Sequence, residues 1–248
     1  MTVAEAPMTT SARTIAALAA VGLMAGAVAL GPIATAVAWC LLGIAIALGW
    51  PFLLELPNPG TARRVMIVAA IVSAPVCYFG TIRTLAFAAG GVVVAGFIEE
   101  MLRRDGRPRL LEQISGTVSG GLLVLVGAVW TRVVMLSADG AEISWVVCAG
   151  LAAAIACEFP VPRHHRHLRP AAAMIGACVG TVLIAPAIFL GWPRMILAAL
   201  GTGIIVALLD SVLRRLPPAT HRRPAIATAV VPAGGAGILA FILSYLAA

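Results

Sequence analysis

The sequence predicts an all-α integral membrane protein with about nine transmembrane helices, arranged as two parallel four-helix repeats plus a C-terminal helix. Three observations carry that expectation. Hydrophobic residues make up 61% of the 248-residue chain and the mean hydropathy is +1.04, far above the composition of a soluble domain, which is roughly half apolar. Apolar windows of about 17–23 residues, bounded by charge or by proline and glycine, recur along the chain and are long enough to cross a hydrocarbon core. Finally, residues 65–104 match residues 176–215 without a gap.

The windows place spans near 14–31, 33–54, 65–81, 84–101, 116–137, 143–158, 171–190, 195–213 and 225–247. The first span follows Arg13 and carries small residues at Ala25-Gly26-Ala27, as a signal peptide would. A second span follows almost at once, so the first is read as a retained helix. The expected organisation is a cytoplasmic tail (1–13), a first four-helix unit (14–104), a basic cytoplasmic loop (105–115), a second unit (116–215) and a ninth helix (225–247). No loop is long enough to fold alone.

Between the two matched stretches, Ala74-Pro75 falls on Ala185-Pro186, Gly80 on Gly191, Arg83 on Arg194, Glu99 on Asp210, and Leu102-Arg103-Arg104 on Leu213-Arg214-Arg215. Matches among alanines and valines mean little here. Prolines, arginines and an acid at one register mean more, because they are costly inside lipid. Four spans per unit is an even number, so the copies share an orientation.

All 17 basic residues are arginine. Without lysine there can be no Schiff-base lysine, pyridoxal-phosphate anchor or Walker A phosphate loop. Alternate loops hold fourteen arginines against three (Arg83, Arg132, Arg194) on the other side. Arginine-rich loops stay in the cytoplasm, which predicts a multi-pass plasma-membrane protein with its N-terminus inside and its C-terminus outside. The tryptophans fall near predicted interfaces, Trp39, Trp130, Trp145 and Trp192 outside and Trp50 inside, and read as an aromatic belt. Five single cysteines read as small core residues, with no Cys-x-x-Cys among them.

Two constellations are candidate sites. The first is Pro75 and Pro186 with Arg83 and Arg194. Short, Pro/Gly-interrupted spans at matching positions of two halves point to a transporter's binding site, and paired guanidinium groups suit a phosphate or carboxylate. The plainer reading is that both arginines reach the outer headgroups. The second is acidic. Glu55, Glu99, Glu158 and Asp210 lie at cytoplasmic helix ends, where a carboxylate opposes the helix dipole and needs a partner. Arg103, Arg104, Arg214 and Arg215 are the nearest candidates, giving an ion-pair cluster. Four acids around one gap would instead suit a metal-assisted site for a phosphorylated lipid.

Two further segments were weighed. In Arg103-Arg104-Asp105-Gly106-Arg107-Pro108-Arg109, the Asp105-Gly106 pair resembles the opening of the CDP-alcohol phosphotransferase signature. The downstream Asp-x-x-x-Asp is missing, so no activity is carried over. Arg163-His164-His165-Arg166-His167 reads as a lipid-facing basic loop rather than a metal site, because its arginines repel a cation. No cofactor, metal or nucleic acid is expected. The expected partners are membrane lipids, including anionic headgroups at the cytoplasmic face, and a membrane protein or a second copy. The leading functional expectation is a permease or facilitator for a small anionic or lipid-linked compound. The alternatives are a non-catalytic subunit of a larger membrane complex and a membrane enzyme acting on a phosphorylated lipid.

Overall fold

The computed structural model describes residues 9–103, 106, 108–136, 139–161, 163–184, 187–188, 191–213, 215–216 and 221–246, and among them every regular element is helical. Helix α1 (Thr10–Leu30) starts where the Thr9 hydroxyl accepts from the Ala12 N–H at 3.3 Å. Gly31 then turns the chain at φ 103°, a backbone region that glycine reaches cheaply, straight into α2 (Pro32–Leu53) with proline at its first position. Asn58 caps α3 (Pro59–Phe79) in the same way, its Oδ1 accepting from the Thr61 N–H. The remaining elements are α4 (Ile82–Met101), α5 (Leu110–Gly127), α6 (Val129–Leu136), α7 (Gly140–Glu158), a 3₁₀ turn (Arg163–Leu168), α8 (Arg169–Ile184), α9 (Trp192–Leu213) and α10 (Arg222–Tyr245).

Among the described residues, eight helical segments are long and apolar enough to cross a membrane, counting α5 with α6 as one. Helix α8, at 16 residues, rises only about 24 Å against a hydrocarbon core of about 30 Å. The surface agrees with the composition. Phe79 (82%), Phe87 (81%) and Leu111 (80%) are exposed along with dozens of other large apolar side chains, a surface that water would not tolerate in a monomer.

The main contacts form two rings. Helix α2 packs on α3, α3 on α4, α4 on α5, and α5 returns to α2; likewise α7 packs on α8, α8 on α9, α9 on α10, and α10 returns to α7. Helix α1 lies against α2, α7 and α10, while α10 also packs on α2, α5 and α6 and so joins the rings. Small residues allow the closest approaches. A Cβ on Gly180 would stand 2.4 Å from the Ala149 carbonyl oxygen and one on Gly176 2.5 Å from that of Ala153, so the α7 and α8 backbones touch. Gly22 and Gly26, spaced the same way on α1, meet nothing within 4 Å.

Two tryptophans fill the centre, which corrects the aromatic-belt expectation. Trp39 and Trp130 are both 0% exposed. Trp39 Nε1 donates to the Val124 carbonyl at 2.7 Å and Trp130 Nε1 to that of Ala233 at 2.9 Å. A buried indole N–H needs such a partner. The first one comes from the interruption between α5 and α6, where the Ala128 N–H turns to Leu125 at 3.2 Å and no longer serves Val124 four residues back. Trp192, 72% exposed, keeps an outward position.

Candidate functional site

Contacts between helix ends show which ends share a face. One face gathers the starts of α1, α3, α5, α8 and α10 with the ends of α2, α4, α7 and α9, and it carries most of the arginines. There Arg64 Nη2 donates to Glu99 Oε2 at 2.8 Å. Arg103 Nη1 donates to Glu100 Oε2 at 2.7 Å, with side chains only 4% and 2% exposed. Arg109, itself at φ 53°, binds Glu112 and reaches the Glu55 carbonyl at 3.3 Å. Gln113, fully buried, accepts from the Asn58 N–H and donates to the Asn58 carbonyl, both at 2.9 Å. It locks the start of α5 to the cap of α3.

The second ring carries its own charge cluster. Asp210 lies 3.5 Å from Arg13 and 3.7 Å from Arg169, with all three side chains between 12% and 16% exposed. Arg169 also donates to the Val161 carbonyl at 3.4 Å. Glu158, 4% exposed, lines the same space. Asp210 thus lies between two cations supplied by the starts of α1 and α8.

Above this cluster is a small cavity of about 40 Å³, lined by Arg13, Thr14, Glu158, Asp210, Thr228 and Pro232 among others. That is room for a few water molecules. Pro232 sits inside α10, ten residues along, about 15 Å from the helix start and close to half the hydrocarbon thickness. Proline has no N–H, so the Thr228 carbonyl loses its donor four residues on. A charged mouth thus leads to the point where the most central helix, continuous from Arg222 to Tyr245, lacks one backbone donor. Neither Thr228 nor Pro232 was singled out from the sequence. The signal is present in Pro232-Ala233-Gly234-Gly235-Ala236-Gly237, a Pro/Gly run of the same kind as Pro75 with Gly80.

The expected site residues divide as follows. Glu99 meets Arg64, and Asp210 lies near Arg13 and Arg169. Arg103 serves Glu100, and Arg215 is exposed. Arg104, Arg214 and Pro186 lie outside the described residues. Glu55 and Glu99 belong with the first ring and Glu158 and Asp210 with the second, and no three His, Cys, Asp or Glu side chains converge among the described residues. At the opposite face Arg194 lies 3.6 Å from Asp139 and donates to the Leu246 carbonyl at 3.4 Å, tying together the ends of α7, α9 and α10. Arg83 is exposed, as is Pro75. Helix α4 packs mainly on α3 and α5, whereas α9 packs on α7, α8 and α10, so the two arginines have different surroundings.

The chain matches no known family model, no curated protein and no solved structure.

Proposed function

We propose that this protein is a permease of the plasma membrane, with its arginine-rich face and N-terminus in the cytoplasm, which passes a small anionic or lipid-linked compound. The observation that carries the reading is the charged cavity between Arg13, Glu158 and Asp210 that reaches Pro232 of α10. Interrupted helices beside a polar space near the midplane are where transporters hold their cargo. At about 40 Å³ the cavity belongs to a closed state, and a solute would enter only after the Arg13–Asp210–Arg169 cluster separates. The repeat is part of the proposal. The ring order favours units of α2–α5 and α7–α10 with α1 additional, one span later than 14–104 and 116–215, and both choices contain the matched motifs.

One observation favours a second reading, a non-catalytic subunit. Helix α4 has only 11% of its apolar window buried, and apart from the small charged cavity the centre of the bundle is filled by Trp39 and Trp130. Reconstitution distinguishes the two. Proteoliposomes should release a panel of small carboxylates and phosphates faster than empty vesicles, and Asp210→Asn should change that rate. Wild-type vesicles as tight as empty ones toward the whole panel would favour the subunit reading.

A further inference from the structure

The outer side of the α7–α8 seam carries an open apolar groove of about 460 Å³, lined by Leu18 of α1, by Ala149, Ala153 and Ala156 of α7 and by Gly180 and Leu183 of α8. It exists because small residues bring the two backbones into contact, leaving no side chain to fill the space beyond the seam. Ala149 to Ala156 covers about 10 Å along α7, and Leu183 lies about 21 Å along α8 from Arg169. The groove therefore spans roughly one leaflet of a core about 30 Å thick. At its inner end, two residues beyond Ala156, α7 stops. The connection to α8 is the 3₁₀ turn Arg163–Leu168, reading Arg-His-His-Arg-His-Leu, with His165, His167 and Leu168 exposed.

A chain-wide apolar trough beneath a cationic turn matches one molecule in shape and charge. We propose that this groove holds an acyl chain of an anionic phospholipid, with the headgroup phosphate at the Arg163–Leu168 turn. The assignment needs only that the helices cross a bilayer, so it stands apart from transport. Alanine and glycine along the floor give the width for a methylene chain, while Leu18 and Leu183 wall it. The backbone turn that follows the inner end of α7 carries Arg163 and Arg166 in its sequence, and an arginine near a headgroup surface contributes to holding anionic lipid.

The test uses the full chain in detergent, with lipid retention measured by native mass spectrometry for phosphatidylglycerol and phosphatidylcholine of matched chains. Wild type should retain phosphatidylglycerol in preference. Arg163→Gln with Arg166→Gln should weaken it by about fivefold per arginine and leave phosphatidylcholine unchanged. Ala156→Trp, on an exposed position at the groove's inner end, should displace both lipids while melting as wild type does. Unchanged phosphatidylglycerol retention in Ala156→Trp, or an unchanged headgroup preference in the Gln pair, overturns the assignment. So does conversion of a dimer to a monomer by Ala156→Trp with lipid retained, which would make the groove an interface between copies.

Discussion

Gly127→Ala should be among the most damaging single-methyl additions in this protein. The added Cβ would lie 1.9 Å, 2.3 Å and 2.5 Å from three carbons of the Trp39 ring, where carbon atoms prefer about 3.5–4.0 Å. The ring must therefore retreat by about 1.5 Å, yet it is fully buried and holds the Val124 carbonyl at 2.7 Å. Overpacking costs about 1–3 kcal/mol and a strained or lost hydrogen bond about 1 kcal/mol, so the loss should be about 2–4 kcal/mol. For a chain of this size that is a fall in melting temperature of about 5–15 °C, read by circular dichroism in detergent. Trp39→Leu removes the obstacle. In that background the same glycine change should cost less by about 1–3 kcal/mol, the coupling expected of residues in contact. A Gly127→Ala variant melting within a degree or two of wild type, or strict additivity with Trp39→Leu, would refute the central packing described above.

Three further outcomes follow from the charged ends. Glu100→Gln, which removes the charge 2.7 Å from the buried Arg103 guanidinium, should cost about 3–5 kcal/mol, whereas Glu100→Leu with Arg103→Met should recover most of that loss in the same melts. Arg194→Ala should cost no more than about 1 kcal/mol, because its contacts are long and its side chain is 27% exposed; a loss of activity at unchanged stability would instead restore it as a binding residue. Single cysteines at Arg109 and Arg215, in a background cleared of native cysteines, should label only from the cytoplasm and one at Asp139 only from outside; the reverse pattern overturns the orientation.

Much of the helix plan was legible because lipid solvation writes it into composition. Apolar windows place most spans within a few residues, although α3 begins at Pro59 against an expected 65 and α8 is helical to Ile184 against an expected 190. The span expected from residue 116 begins at Leu110 because Gln113 is satisfied by Asn58, and hydropathy cannot see a partner 55 residues away. Acids at helix ends were legible for the same reason that they need compensation. The sequence-near partner holds for Glu100, which meets Arg103, but not for Glu99, whose partner Arg64 comes from the start of a different helix. Trp39 and Trp130 were misplaced because an indole suits an interface and a core alike, and what decides is tertiary: Gly127 and the freed Val124 carbonyl for Trp39, Gly237 and the Ala233 carbonyl for Trp130. The cavity was not legible because α10 reads from hydropathy as one more apolar span, and it stays a continuous helix through its Pro232-to-Gly237 run.

The permease reading stands or falls on solute movement through the cavity beside Asp210. In proteoliposomes loaded with small carboxylates and phosphates, wild type should accelerate release of at least one. Asp210→Asn, which loosens the tie between α1, α8 and α9, should alter that rate several-fold, and Pro232→Ala, which restores the Thr228 hydrogen bond, should slow it. Release that is carried by wild type and left unchanged by both substitutions would contradict the assignment of this cavity as the pathway.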